Sequence, residues 1–335
     1  MKLGRDLLTV LAFAAVLWFL PDLLRGAYGR ASVSYLSLAT NALGLMVLAL
    51  TWDLLARTGQ LSLAHAAFYG AGAYTTAILA RQDVTALWVG IPLGGLVAVL
   101  LAVPLGMVTL RLRGIYFAIA TLAFAEVLRA VVRQLPTGIA GGAAGLNVPA
   151  LFRPAFVPGE MERWEIAFLR NEGYFLAYAA LLLFVIVMSL YTRRSRLNHA
   201  FTAIRTNEAV AAVMGVRPAR TKILAFALSS VGVGTLGALH AHRIGSVVPE
   251  AAFAVHTTVF ALVTPIFGGL YTTLGPILGA GLLTGLEETL KRTFSEGYLI
   301  GYGLVLVLSI LYMPRGIVGL VRGLARRVRR PGGPR

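Results

Sequence analysis

The chain has 335 residues, of which 58% are hydrophobic and 13% are charged, and its mean hydropathy is +0.78. The length would accommodate two soluble domains, but this composition excludes them and is typical of a polytopic membrane protein. The net charge of +16 comes mostly from arginines at the ends of apolar segments, so membrane topology and lipid headgroups explain it better than nucleic acid. The sequence contains no cysteine, which excludes disulfides, thiol catalysis and thiolate metal sites.

Apolar segments long enough to cross, or partly cross, a bilayer recur along the chain. They predict an all-α polytopic membrane protein with about ten transmembrane or partly broken helices, at about residues 7–24, 33–56, 61–80, 86–109, 114–133, 173–191, 222–243, 255–270, 274–290 and 298–313. No small-residue cleavage site follows the first segment promptly, which predicts an uncleaved span. If the chain starts inside, an even number of crossings puts the basic loop at 192–222 and the basic tail at 315–335 in the cytoplasm, as the positive-inside rule requires.

The polar stretch at about 134–172 has nearly balanced charge and is rich in glycine and proline. These features predict an irregular external loop with one short helix near 160–170. A partner surface and a plain connector are both open interpretations of this loop.

Glycines interrupt the third apolar segment, 61–80, and glycines and prolines interrupt the run at 255–290 that holds the eighth and ninth segments. In a division into two halves of five segments, which are candidates for a structural repeat, the interruptions begin at the third segment of each half. Matching interruptions of this kind point to the central site of a transporter. Close helix packing through small residues is the alternative, and both can hold at once.

Several polar side chains fall within the apolar segments, where they must face a cavity or a partner because hydrocarbon cannot solvate them. They are Asn41, Gln60, His65, Glu126 and His256. Glu126 and Arg129 have the helical spacing that predicts an ion pair. His240 and His242 would point to different faces of a helix, which disfavours a shared metal site.

The sequence holds no P-loop motif for ATP, and none of the HExxH, GxSxG or CxxC motifs. We therefore predict that the chain has no catalytic residues and no metal site, and that it does not hydrolyse ATP itself. An intramembrane enzyme has no supporting constellation of residues. These absences favour a conduit whose energy, if any, comes from another protein.

Within the basic loop, residues 195–222 predict two short helices. Asn207 is a good N-cap, Glu208 suits the first helical turn, and Gly215 followed by Pro218 is a stop signal. Seven basic side chains surround the single acid Glu208, which indicates a cytoplasmic loop. The pattern fits a docking element for a partner and, equally, a positive anchor that only fixes topology.

Five segments resemble LivM-type permeases, the membrane subunits of ABC importers for branched-chain amino acids. They are LSLAHAAFYGAGAYTTAIL (61–79), LRGIYFAIATLAFAEVLR (112–129), AIRTNEAVAAVMGVRPARTKILAFALSS (203–230), FGGLYTTLGPILGAGLL (267–283) and MPRGIVGL (313–320). The resemblance runs from about residue 35 and implies one permease domain over 1–335. Permeases similar to these also import urea, short amides and aromatic acids, so the substrate stays open.

The resemblance implies that the loop docks in a cleft of an ATPase subunit through Arg205, Asn207, Glu208, Ala209 and Gly215. Val210 replaces the second alanine of the Glu-Ala-Ala pattern of other importers, and no Leu-Pro follows. The implied partners are a second, LivH-type permease, two ABC ATPase subunits that carry ATP-Mg, and a periplasmic or lipid-anchored binding protein. The implied location is the bacterial plasma (inner) membrane, with both termini cytoplasmic and no cofactor on this chain.

Four polar residues in or beside the third and fifth segments are candidates for lining a translocation path: Gln60, Ser62, His65 and Tyr116. Each lacks another obvious reason to be buried. A stand-alone channel or secondary carrier is the alternative from a different class. It predicts flux without ATPase partners and leaves the two helices of the basic loop without a purpose.

Overall fold

The computed structural model describes residues 2–81, 87–109, 111–112, 114–152, 162–294, 297–312 and 316–320. Its α-helices are α1 (Lys2–Tyr28), α2 (Ser32–Ala56), α3 (His65–Arg81), α4 (Leu87–Thr109), α5 (Ile115–Gln134), α6 (Thr137–Ala140), α7 (Arg163–Arg194), α8 (Arg196–Thr206), α9 (Glu208–Val213), α10 (Pro218–Ile244), α11 (Pro249–Ala252), α12 (Val255–Gly268), α13 (Leu274–Thr293) and α14 (Tyr298–Tyr312). Two short strands, β1 (Leu146–Asn147) and β2 (Ser246–Val247), pair antiparallel. Single 3₁₀ turns occupy Gly29–Ala31 and Gly142–Ala144.

The prediction of an all-α polytopic membrane protein is confirmed. Each predicted apolar segment coincides with a helix of at least fourteen residues. Six helical stretches in the described part of the chain are long and apolar enough to cross a membrane. α1 and α2 join through the first 3₁₀ turn, so that helical structure continues around this corner.

The described turns between the long helices gather at two ends of the bundle. At one end, which we call the basic end, Gly59 packs against Arg205, the Arg205 guanidinium lies over the Tyr271 ring, and Gly316 packs against Gly269. At the other end, which we call the far end, the α1–α2 corner, the loop at 134–152 and the segment at 245–252 lie together. This grouping agrees with the predicted crossing pattern, in which the loop at 192–222 and the chain after α14 share one side. Apart from 316–320, the basic tail lies outside the described residues.

The far end corrects one prediction about the external loop. The expectation of a separate short helix near 160–170 is wrong, because α7 runs unbroken from Arg163 into its apolar part. A capping box starts this helix: the Glu162 carboxylate accepts the backbone N–H of Glu165, and the Glu165 carboxylate accepts the backbone N–H of Glu162 at 3.0 Å. Arg25 and Arg30 pair with Glu165 and Glu162, which ties the α1–α2 corner to the start of α7. Residues 153–161 of the loop lie outside the described residues.

The two halves of the chain exchange packing partners. α10 packs most extensively on α3 and α4, and α2 packs on α12 and α13 as well as on α7. With α2 and α10 as the second long helices of their halves, each packs on the third and fourth of the other half. This reciprocal arrangement is the one expected of repeat-related halves.

Glycines let these helices approach closely. A Cβ atom at Gly72 would lie 1.9 Å from the Gly234 carbonyl oxygen, and one at Gly237 would lie 2.0 Å from the Tyr69 carbonyl oxygen. α3 continues through Gly70 and Gly72 without a break, so these two glycines pack rather than interrupt. Small residues at contacts are how helices associate where lipid gives no hydrophobic drive. The interruption of the third segment lies earlier, at 57–64.

We expect Gly72→Ala to destabilise the protein, because the new methyl group collides with the α10 backbone, and overpacking of this kind costs about 1–3 kcal/mol. The matched control is Gly285→Ala in α13, where a Cβ atom meets nothing within 4 Å. Alanine there should leave stability unchanged or raise it by up to about 1 kcal/mol. Thermal unfolding in detergent compares the two, and equal melting temperatures would contradict the packing role of Gly72.

Candidate functional site

The basic loop folds as a hairpin of α8 and α9, which we call the α8–α9 hairpin (196–215). The Asn207 side-chain oxygen accepts hydrogen bonds from the N–H groups of Ala209 at 3.0 Å and Val210 at 3.2 Å, as an N-cap does. Gly215 ends the unit with a φ of +87°, a conformation that favours glycine. The predicted helices, N-cap and stop signal are all confirmed, and Pro218 stands at the first turn of α10.

The outward face of the hairpin is apolar. Val210, Val213 and Met214 are 58%, 88% and 79% exposed, whereas Ala211 is buried. Phe201 and Ile204 of α8 point the other way, into the protein. An exposed apolar patch rimmed by charge is characteristic of a surface that binds another protein.

Besides these apolar contacts, the hairpin makes two specific polar contacts with the protein behind it. Glu208 pairs with Lys222 of α10 at 2.8 Å, and the lysine is buried. The Arg205 guanidinium carbon lies 3.8 Å from the centre of the Tyr271 ring, in the turn between α12 and α13. The hairpin is therefore held against two separate helical elements. The sequence named Arg205 and Glu208 and placed Lys222 among the seven basic side chains around Glu208, but it did not single out Lys222 as the partner and missed Tyr271.

A buried ion pair lies just behind this contact. Arg57 donates to Asp53 at 3.0 Å and to the Ser189 hydroxyl of α7 at 2.7 Å. Asp53 also accepts the backbone N–H of Tyr271 at 2.5 Å. Asp53 and Arg57 are both buried, at 0% and 3% exposure. This network joins α2, α7 and the turn before α13. Sequence reasoning missed it, although the spacing of an acid and a base four residues apart was an available signal.

Between the end of α2 and the start of α3, residues 57–64 form a non-helical segment. Gln60 and Ser62 are buried there, and His65 is buried at the start of α3. The Ser62 carbonyl accepts the Trp52 indole N–H at 3.0 Å, and His65 Nε2 lies 3.1 Å from the Ser229 hydroxyl of α10. Irregular backbone at membrane depth is tolerated where protein surrounds it.

The structure brings three of the four predicted path residues together and separates the fourth. Gln60 and Ser62 are buried in the segment between α2 and α3 and His65 is buried at the start of α3, whereas Tyr116 is 71% exposed on α5. The expectation that Tyr116 is buried is wrong, because α5 turns that side chain away from the other helices. The role of the four residues in a path stays a prediction.

A cavity of about 370 Å³ lies toward the far end, between α2, α3, α7, α10 and α12. Its polar lining includes Asn41, Tyr178, His240, Arg243 and His256, and its apolar lining includes Leu45, Leu48, Leu236 and Phe260. Asn41 and His256 were predicted to face a cavity or a partner, and this is confirmed. None of the four predicted path residues lines this cavity.

The predicted ion pair within α5 and the predicted separation of two histidines of α10 are also confirmed. Glu126 and Arg129 pair at 2.5 Å. His240 and His242 face different surroundings: His240 lies 3.4 Å from the Tyr178 hydroxyl, and His242 bridges the Thr76 hydroxyl and the Pro149 carbonyl. Among the described residues there is no group of three or more side chains suited to hold a metal ion.

Comparison with known proteins identifies the family. Residues 34–312 match the model of the family described as "Branched-chain amino acid transport system / permease component". The chain belongs to this permease family. Its apolar helices make it a multi-pass membrane protein, and the LivM-type resemblance is confirmed.

The similar proteins include two permeases named LivM. The chain is 34% identical over 279 residues to the "High-affinity branched-chain amino acid transport system permease protein LivM" of Salmonella typhimurium, and equally to that of Escherichia coli. The matched region covers 79% of this chain and 65% of each relative. A "Probable branched-chain amino acid transport permease protein LivH" of Methanocaldococcus jannaschii is 26% identical over 44% of this chain and 48% of its own length. No solved structure matches.

We expect Asp53→Asn to destabilise this permease by about 3–5 kcal/mol, because it leaves the buried Arg57 charge without its counter-ion. The matched control is Glu126→Gln, which breaks a pair whose side chains are 36% and 39% exposed and should cost less than about 1 kcal/mol. Adding Arg57→Met to Asp53→Asn should restore part of the loss. Unfolding in detergent measures all three, and equal effects of the two single substitutions would count against the network.

Proposed function

We propose that the chain is the membrane-spanning permease subunit of an ATP-driven ABC importer for branched-chain or related amino acids. In this proposal it takes substrate from an external binding protein, and separate ATPase subunits gate it. The observation that carries the proposal is the α8–α9 hairpin, whose apolar face is exposed while its polar side chains are fixed to the helices behind it. A hairpin that served only as a positive anchor would need neither feature.

The contacts of the hairpin suggest how movement reaches the helices. A partner that shifts the hairpin would pull α10 through the pair of Glu208 and Lys222. It would also move the turn before α13 through Arg205 and Tyr271, and the Asp53 network links that turn to α2 and α7. α2, α7 and α10 all line the cavity. A small displacement at the basic end would therefore change the shape of the cavity wall.

The proposed assembly contains a second, LivH-type permease, two ABC ATPase subunits beneath the α8–α9 hairpins, and a periplasmic or lipid-anchored binding protein at the far end. ATP-Mg would bind to the ATPase subunits and no cofactor to this chain, because its sequence has no P-loop. The location would be the bacterial inner membrane, with both termini in the cytoplasm, in line with the positive-inside rule.

A gentle detergent pull-down of the tagged protein from its native host, followed by mass spectrometry, tests the assembly. We expect two ATPases and a second permease to remain bound. Recovery of the chain alone, under conditions that preserve a known ABC complex, would contradict the proposal and favour a stand-alone carrier. Leucine uptake that stops when ATP is depleted tests the energy source in the same host.

We expect Val213→Asp to release the ATPase subunits and to lower ATP-dependent leucine uptake roughly tenfold or more, because a carboxylate replaces an apolar contact in the docking face. Val213 is 88% exposed, so folding and membrane insertion should not change. The matched control is Ile139→Asp, an exposed apolar residue at the far end, which should keep the ATPases bound. Normal uptake and ATPase retention in Val213→Asp would contradict the docking role.

A further inference from the structure

The cavity contains a cation without an acidic partner. The Arg243 guanidinium donates to the Asn41 side-chain oxygen at 2.7 Å, the Ser37 hydroxyl at 3.0 Å and the Ser37 carbonyl at 3.2 Å. All three acceptors are neutral, and no carboxylate among the described residues pairs with Arg243. Arg243 lies in the last turn of α10, where the helix dipole favours a cation, and its guanidinium carbon also lies 5.7 Å from the centre of the Tyr178 ring. An arginine that faces a cavity with spare hydrogen-bonding capacity is a binding group for an anion.

The rest of the wall suits a small molecule with an aliphatic part. Leu45, Leu48, Leu236 and Phe260 supply an apolar surface. The volume of about 370 Å³ is at the lower end of the range of ligand pockets, which fits a ligand of few atoms. The Asn41 oxygen beside the guanidinium is an acceptor that an ammonium group could use. Carboxylate, ammonium and aliphatic side chain together describe an α-amino acid.

We propose that this cavity is a binding site for the transported molecule, in which Arg243 binds its carboxylate and the apolar wall holds an aliphatic side chain. The proposal rests on the proposed function and narrows it. A fixed cation selects an acid over urea and neutral amides of the same size, because those molecules carry no charge to offset the desolvation of the guanidinium. Selection would then occur in the permease itself as well as in a binding protein.

A purely structural role for Arg243 makes a different prediction. In that role Arg243 only ties α10 to α2 through Asn41 and Ser37. Asn41→Asp would then strengthen the contact between α10 and α2, because it turns a neutral hydrogen bond into an ion pair. Leucine binding would not change. In the binding site proposed here, the same substitution supplies an internal carboxylate that competes with the substrate.

Saturation-transfer NMR tests the site on the permease purified with its retained native subunits and held in lipid nanodiscs. The probes are leucine, with 4-methylpentanoate and 4-methylpentanamide as competitors that differ only in charge at the head group. We expect the acid to displace leucine and the amide not to do so. Arg243→Gln and Asn41→Asp should each weaken leucine binding roughly tenfold or more, the scale of one charged hydrogen bond. Arg243→Lys should retain a larger part of the binding than Arg243→Gln.

The matched control is Arg81→Gln, which removes another far-end arginine that donates to a neutral oxygen, the Thr137 carbonyl, outside the cavity. It should bind leucine as the wild type does. Equal displacement by acid and amide, no leucine signal in the wild type, or unchanged binding in Asn41→Asp would overturn the site. If Arg243→Gln does not fold, Asn41→Asp and Arg243→Lys still decide the matter.

The two proposals fail in different ways. If the pull-down recovers ATPases and uptake depends on ATP, the proposed importer is supported. If the Arg243 and Asn41 variants then bind leucine as the wild type does, the proposed binding site is rejected. Acid-selective binding by a chain that recruits no ATPase would keep the site and reject the importer.

Discussion

The ion pair of Asp53 and Arg57 holds the basic end together. Taking two charges out of water is unfavourable unless each finds its partner and further hydrogen bonds, and here Ser189 and the backbone of Tyr271 complete the set. Tyr271 has a φ of +62°, a conformation rare for a side-chain-bearing residue, and its N–H is fixed by Asp53. The ring that Arg205 covers therefore owes its position to a charge buried in α2.

A second constraint comes from the backbone that lies outside the helices. Between α2 and α3 the chain runs as a non-helical segment, residues 57–64, and its buried N–H groups need partners from the protein. Threonine side chains of other helices bind here: Thr121 accepts the N–H of Leu63, and Thr258 accepts the N–H of Ala66 in the first turn of α3, both at 2.9 Å. This part of the chain is thereby joined to α5 and α12, so it cannot shift without these two helices.

Most of what the sequence could predict came from patterns among residues that are close together in the chain. Apolar length located the helices, and the cap at Asn207 and the stop at Gly215 located the α8–α9 hairpin, because each depends on residues close in the chain. Contacts between distant segments left no such signal. The pairing of Glu208 with Lys222 and the outward orientation of Tyr116 follow from how helices are rotated against one another, which periodicity alone does not give. The sequence left open whether the glycines of α3 interrupt that helix or pack against another one, because packing also depends on how the helices are rotated.

The two-residue ladder of β1 and β2 joins the loop at 134–152 to the wall of the cavity. β2 carries Ser246 and Val247 of the cavity wall, and β1 belongs to the loop that follows α5, so two chain segments share one rim. A ladder this short has little stability of its own. α2, α3, α7, α10 and α12 frame the cavity on its other sides, and the four-residue helix α11 adjoins β2 at the rim. Separating two paired residues breaks fewer hydrogen bonds than bending a long helix does, so we expect a force on the loop to open the mouth of the cavity first.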